Sequence, residues 1–323
     1  MAVPTIDISG PIDVVGTELD AACHRIGFAQ IVGHGLDPDL EGEAWETARR
    51  FFELPAADKS AVAIPSGDAY GYGPYLAERL AASRGARTPA DLKETFSIGP
   101  FVEASSMAAV IAADPAAAFA YSPNRWPDAL DAMAVVMQRY YDALADLAAR
   151  LLSAMAVGLG MTADTFAPAI DRHTSALRLL HYPHVDLTAV EPGQLRAGAH
   201  SDYGTLTLLR QDDAPGGLEV LDAEGAWHAV PATPGAYVVN IGDALERWTA
   251  GRWRSTLHRV QLPPAGHSGS TERQSIAFFH NANWDAVIDC LDACRPLDGR
   301  PVPEPITAGR HLMERFRSTQ DAE

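Results

Sequence analysis

The chain has 323 residues, 47% of them hydrophobic, which is enough for a substantial buried core in one large domain or two small ones. Its formal net charge of −17 repels phosphate backbones and anionic lipid headgroups, so neither nucleic acid nor a membrane is an expected partner. Three cysteines, Cys23, Cys290 and Cys294, give no disulfide framework.

The start, Met1 to Asp7, has no basic stretch followed by an apolar one, so it does not read as a signal peptide. No apolar run approaches the roughly 20 residues of a membrane span, and the expected location is the cytoplasm. Thr17 to Ile26 reads as a helix stopped by Gly27, and Phe28 to Val32 as a strand before the turn Gly33-His34-Gly35. A second helix is expected over Pro38 to Phe52, a loop over Ser66 to Pro74, and an irregular connector over Val102 to Pro127. Arg79, Arg84 and Arg87 fall near an expected lid, where they meet either an acidic substrate or only solvent. Asp128 to Gly160 carries the strongest helical signal: Leu130, Met133, Met137, Tyr140, Leu144, Leu147 and Leu151 recur every three or four residues and form a core-facing stripe.

From Ser175 onward short apolar runs alternate with Gly, Pro, Asp and Asn. The expected strands are Ala176–Tyr182, Gly204–Leu209, Leu218–Leu221, Trp227–Val230, Ala236–Asn240, Leu257–Leu262 and Gln274–His280, a texture that suggests a β-sandwich or barrel. The Cys290–Cys294 spacing is half of a zinc site with no second pair to complete it. The end, from Arg310, is charged, and its first half reads as a short helix.

The chemistry lies in the second half. His200 and Asp202 stand two apart before a strand, so extended chain turns both side chains to one face. With His258 they would make two imidazoles and a carboxylate, the facial triad that holds Fe(II) and leaves other positions open. By spacing alone, His181, His184, His228 and His280 compete for the third place, and the triplet is equally compatible with an exposed loop. Arg273 and Ser275 open an apolar strand; a buried guanidinium needs an anion, either a carboxylate ligand or a neighbouring Asp or Glu. Tyr182 and Arg178, on an earlier strand ended by Pro183, are in reach of the same ligand or serve the core. Asn240-Ile241-Gly242-Asp243 reads as a tight structural turn with Gly242 at positive φ. Tyr70, Tyr72, Phe96, Tyr203, Phe279 and Asn281 are pocket-lining candidates by proximity to these motifs.

Taken in order, His200-x-Asp202, Asn240 to Asp243, His258 and Arg273-x-Ser275 resemble the isopenicillin N synthase-like branch of the Fe(II)/2-oxoglutarate-dependent oxygenases. Val3 to Asp7, Gly27-Phe28, Gly33 to Gly35 and Asp91 to Phe96 look like that family's N-terminal and middle segments, so the likeness spans nearly the whole chain. The resemblance implies an α+β fold with a mainly β core, a distorted double-stranded β-helix (jelly roll) flanked by helices. It also implies an N-terminal region over 1–120 and a jelly-roll core over 170–285 within one structural unit.

His200, Asp202 and His258 then match iron ligands, and Arg273 and Ser275 the clamp for the distal carboxylate of 2-oxoglutarate. Tyr182 matches the tyrosine before proline in the family's N-Y-Y-P segment, a co-substrate contact; Leu180 and His181 depart from that segment, leaving Arg178 to contribute. The implied reaction uses Fe(II), 2-oxoglutarate and O2, forms succinate and CO2, and hydroxylates or desaturates a small metabolite, as in secondary metabolism. Two alternatives stand beside it: an iron oxidase that uses no 2-oxoglutarate, like isopenicillin N synthase or 1-aminocyclopropane-1-carboxylate oxidase, and a non-catalytic jelly roll that binds a small acid. Neither the substrate nor the oligomeric state is indicated.

Overall fold

The structure is a computed structural model and describes residues 3–84, 88–102 and 104–320. The chain opens with β1 (Thr5–Asp7), α1 (Ile12–Arg25), β2 (Phe28–Val32), α2 (Pro38–Phe52), α3 (Ala56–Ala61), β3 (Gly71–Gly73), β4 (Glu94–Ile98) and α4 (Ala104–Ala113). The long α5 (Met133–Gly158) and the short α6 (Ala167–Ile170) follow. Next come β5 (Ala176–Tyr182), β6 (Ala197–His200), β7 (Leu206–Gln211), β8 (Gly217–Leu221), β9 (Trp227–Ala229) and β10 (Tyr237–Ile241). After α7 (Asp243–Trp248) lie β11 (His258–Gln261), β12 (Arg273–His280), β13 (Val287–Ile288), β14 (Ile306–Thr307) and α8 (Ala308–Gln320).

Two sheets face each other. The larger has eight strands in the order β1-β2-β10-β7-β12-β5-β4-β3, the smaller four in the order β6-β11-β8-β9. Neighbours far apart in sequence, such as β7 beside β12, make this a distorted double-stranded β-helix. β1 pairs parallel to β2, and the other strand pairs of the two sheets are antiparallel. Alternation along β5 and β12 sends one set of side chains to each face. Ile276 and Phe278 turn outward into the helical core, while Arg273, Ser275, Ala277 and Phe279 turn toward the space between the sheets.

The main apolar core lies on the outer face of the large sheet, where α1, α2 and α5 cover it. The stripe read from the sequence is what α5 buries: Met133, Met137, Tyr140, Leu144, Leu147 and Leu151 are all 1% exposed or less. α2 begins and ends where expected because Asp37 accepts a hydrogen bond from the Asp39 backbone at 3.0 Å and Pro38 pre-sets the first turn.

Several expectations need correction. Residues 102–127 are not an irregular connector: α4 and a 3-10 turn over Pro115–Phe119 lie there, in an Ala-rich run that is helix-forming yet has no amphipathic period. The long helix starts at Met133 rather than Asp128, because residues 127–130 form a turn closed by Leu130 N–H on the Pro127 carbonyl. α1 starts before Thr17, at Ile12, and β3 occupies part of the expected 66–74 loop. α8 runs the length of the described C-terminal segment rather than a first half only; residues 321–323 lie outside the described residues. Gly242 has φ −95°, so its role is not a positive-φ turn; a Cβ there would sit 2.2 Å from the Gly204 carbonyl oxygen. Among the described residues no helix is long and apolar enough to cross a membrane.

Candidate active site

His200 closes β6 and His258 opens β11, and the antiparallel register sets them directly opposite each other. Their ring centroids are 4.3 Å apart. The chain leaves β6 after His200, and Asp202 returns its carboxylate from the following loop rather than from a strand. Its Oδ1 lies 3.8 Å from His200 Nε2 and 3.7 Å from His258 Nε2. Ligand atoms of the three residues all fall within 4.8 Å of one another.

The surrounding hydrogen bonds fix which atoms are available. His200 Nδ1 meets the Gly198 carbonyl at 2.8 Å and His258 Nδ1 meets the Thr256 carbonyl at 3.1 Å. A carbonyl only accepts, so both Nδ1 atoms carry the proton and both Nε2 lone pairs face Asp202. Asp202 Oδ2 accepts from Thr207 Oγ1 at 2.6 Å and from Asn240 Nδ2 at 2.7 Å, which leaves Oδ1 for the shared centre. Burial first, then the neighbouring His258, lowers His200 to about 3, so its imidazole stays neutral. Burial alone would raise the Asp202 carboxyl, but the two imidazoles and the Asn240 and Thr207 bonds hold it below the ordinary value. Two imidazoles with Nε2 turned inward and one carboxylate, each oriented by a second partner, are a donor set that fits Fe(II).

The backbone reinforces this. The Asp243 N–H donates to the Asp202 carbonyl at 2.7 Å, and the Gly204 loop presses against Gly242 closely enough to exclude any side chain there. Asn240 and Asp243 are thus parts of the site. Sequence reasoning took them for a turn, because Asn240 lies 38 positions from the carboxylate it orients.

A cavity of about 440 Å³ lies between the sheets and contains the triad. At its floor Arg273 is 2% exposed. The guanidinium donates to Ser275 Oγ at 3.3 Å and Gln211 Oε1 at 2.8 Å and sits over the Tyr182 ring, 5.0 Å from its centroid. The nearest carboxylate, Asp212, is 3.8 Å from Arg273 Nε, an ion-pair distance too long for a hydrogen bond. Arg196 lies on the same side, its guanidinium donating to backbone carbonyls of Pro215 and Thr271, and burial with the nearby Arg273 lowers it to about 10.

Tyr70, Tyr203, Phe279 and Asn281 line the cavity as expected from their places in the sequence. Tyr72 and Phe96 do not. They point to the other side of the sheet, where Tyr72 donates to Glu94 at 2.6 Å and Phe96 packs on Phe51 with centroids 4.4 Å apart. The reason is parity: Phe96 pairs with outward-facing Leu179, whereas Ser97 pairs with cavity-facing Arg178. Arg178 lines the cavity but sits four residues along β5 from Tyr182, roughly 13 Å at strand rise, and pairs with Glu78. Of the arginine cluster, Arg79 reaches the rim of the cavity and Arg87 lies outside the described residues.

Phe119, Leu312 and Phe316 complete the mouth and were missed. Only the four-residue spacing of Leu312 and Phe316 on α8 hinted at an apolar helix face there. Arg315 ties α8 down through Asp243, with Nη2 2.7 Å from Oδ2. The other histidines weighed for the triad are engaged elsewhere: His181 with Glu94, His184 with Thr271, His228 with Asp222 and His280 with Thr205. Cys290 and Cys294 are free thiols and belong to no metal-ligating group among the described residues.

Comparison with known proteins agrees with this geometry. Residues 173–282 match the model of the 2OG-Fe(II) oxygenase superfamily, and residues 3–129 match a non-haem dioxygenase N-terminal model described from morphine synthesis. A 2-oxoglutarate-Fe(II) type oxidoreductase from Aspergillus fumigatus is 37% identical over 92% of this chain and 85% of its own. A homoarginine-6-hydroxylase from Oryza sativa is 30% identical over 97% and 96%. The crystal structure of a full-length Neurospora crassa protein in complex with alpha-KG and thymine superposes with a TM-score of 0.84 at 29% identity, covering 98% of this chain and 97% of that one. Donor set, buried arginine, β-helix and relatives converge: the chain belongs to the 2OG-Fe(II) oxygenase superfamily and is a dioxygenase that uses Fe(II), 2-oxoglutarate and O2.

Proposed function

We propose that His200, Asp202 and His258 hold the iron, that Arg273 and Ser275 grip the distal carboxylate of 2-oxoglutarate beside Tyr182, and that the space above receives a small molecule to be hydroxylated. The observation that carries this is Arg273. It is a buried guanidinium turned into the cavity, with its nearest carboxylate beyond hydrogen-bond reach. Bound there, Fe(II) with 2-oxoglutarate and O2 supplies the oxidation of a C–H bond, with succinate and CO2 as the co-products.

The chain's own residues do the positioning. The triad occupies one side of the metal and leaves the cavity side for the co-substrate. Leu180 stands where the N-Y-Y-P segment carries asparagine, so that position offers no side-chain amide to the near end of 2-oxoglutarate. The rings of Tyr203, Phe279 and Phe316 keep water from the reacting face. Relatives named as hydroxylases, among them a proline hydroxylase from Petromyces alliaceus at 32% identity, support hydroxylation over desaturation.

The same reading takes residues 1–323 as one structural unit, supported by β1 and β2 adding to the sheet that contains β10. Three free cysteines support a reducing compartment, the cytoplasm, and the charge of −17 supports a small molecule rather than nucleic acid as partner.

Arg273→Ala tests it. The expected result is a KM for 2-oxoglutarate raised roughly 10- to 100-fold, the scale of a lost charged hydrogen-bond pair, with iron occupancy retained. An unchanged KM refutes the clamp, and iron-dependent O2 uptake that needs no 2-oxoglutarate would restore the oxidase reading.

A further inference from the structure

The charged residues in and immediately behind the cavity lining fall into three groups, two of which the reaction's own components would neutralise. At the floor Arg273 and Arg196 face Asp212, leaving one positive charge for the distal carboxylate of 2-oxoglutarate. At the metal end, Asp202 and the near carboxylate of 2-oxoglutarate would balance a divalent ion held by the triad. The third group is on the wall of β4 and β5. Lys93, 1% exposed at its side chain, lies 3.0 Å from Asp91 and 3.1 Å from Glu78, and Glu78 also pairs with Arg178. Arg79, exposed on the rim, has no ion-pair partner among the described residues. Three cations against two carboxylates leave this wall with one positive charge, inside a protein whose net charge is −17. Burial would raise Glu78, but Arg178 and Lys93 hold it at about 2, so Glu78 is ionised at neutral pH.

Arg178 has donors to spare. Its bonds to Glu78 and, at 3.5 Å, to Thr95 Oγ1 both leave from Nη2. Nε is buried without a partner, and Nη1 makes no hydrogen bond among the described residues. At roughly 13 Å along β5 from Tyr182, Arg178 is too far from the floor to share the 2-oxoglutarate carboxylate held there. The space it faces also contains the rings of Tyr203, Phe279 and Phe316.

We propose that the substrate is a small monocarboxylate with an apolar body, its carboxylate received by Arg178 on the β4–β5 wall and its body packed on those rings. A single anion neutralises the wall, and its carboxylate takes the idle Nη1 donor of Arg178. This inference rests on the 2-oxoglutarate reading above.

The test is calorimetric titration of the anaerobic holoenzyme, loaded with Fe(II) and 2-oxoglutarate. The probes are phenylacetate and 4-methylpentanoate, each paired with its primary amide. Expected for the wild type is at least one acid binding about tenfold or more tightly than its amide. Arg178→Gln should reduce that ratio to about twofold or less while 2-oxoglutarate affinity holds. Glu78→Gln, which adds a positive charge to the wall, should move the ratio the other way, so the two variants bracket any general loosening of the fold. The proposal is overturned if no acid outbinds its amide in the wild type, or if Arg178→Gln leaves the ratio unchanged. It is overturned too if Arg178→Gln weakens 2-oxoglutarate itself, which would assign Arg178 to the co-substrate. Wild-type protein that binds no 2-oxoglutarate brings down the parent reading as well, and separate titration of the co-substrate tells the two failures apart.

Discussion

The two oxygens of Asp202 have separate duties. Oδ2 is taken by Thr207 and Asn240, and this leaves Oδ1 3.7 to 3.8 Å from both imidazole Nε2 atoms. An amide that orients a ligand raises metal affinity without touching the metal, and losing such a partner costs about 10- to 100-fold. Asn240→Ala should therefore weaken Fe(II) binding by about that factor, read by competition with a chelator, while His200 and His258 keep their backbone partners. Affinity equal to the wild type would show that Thr207 alone suffices. The Arg-x-Ser pair was legible because it lies on one strand and needs only the alternation of extended chain, and the His-x-Asp pair because its members are neighbours in sequence, although Asp202 reaches the centre from the loop after β6 rather than by that alternation. Asn240 was not, since its partner arrives through the pairing of β10 with β7, a contact no local pattern encodes. The same non-locality kept His258 level with four other histidines until β11 was seen beside β6.

At the scale of elements, α2, β2 and β5 follow their sequence patterns end to end, whereas α1 starts five residues ahead of its expected start, with Gly16 inside it. A glycine within a helix costs about 1 kcal/mol relative to alanine, which is why the sequence reads as starting after it. Here tertiary contact overrides propensity. α1 crosses α5 so closely that a Cβ on Gly16 would lie 2.3 Å from the Ala154 carbonyl oxygen, and one on Gly158 would lie 2.2 Å from that of Gly16. Both obstacles are backbone, which cannot rotate away. Gly16→Ala gains the propensity term but must separate two helices packed over the main core, a strain of about 1–3 kcal/mol. The net effect should be destabilisation, visible as a lower urea midpoint with an unchanged slope. A stabilised variant would mean the crossing relaxes freely. The Ala-rich α4 was missed for the complementary reason: it has propensity without a stripe.

For the whole molecule, the sheet divides two environments, and the histidines on its outer side govern stability against pH. His181, on β5, reaches Glu94 at 2.8 Å and Glu272 at 2.9 Å and stacks on Phe52 of α2, so it joins the helical layer to the sheet. Lys59 and Tyr72 bond the same Glu94. Burial opposes the imidazolium, but the two carboxylates outweigh it and raise His181 above its ordinary 6.5. The folded state therefore holds this proton more tightly than the unfolded chain. The stabilisation is fully present below 6.5 and is lost as pH rises through the raised value. His173 and His280 act in the opposite sense. Burial lowers both, so the unfolded chain takes up their protons first and stability falls as pH drops below 6.5. Thermal midpoints across pH 5 to 9 should thus fall on both sides of a maximum near the ordinary histidine value. His181→Gln should flatten the alkaline limb and leave the acid limb in place. A wild-type midpoint that does not decline above 6.5, or a variant with the same alkaline slope, would show that this contact between layers does not depend on the imidazolium.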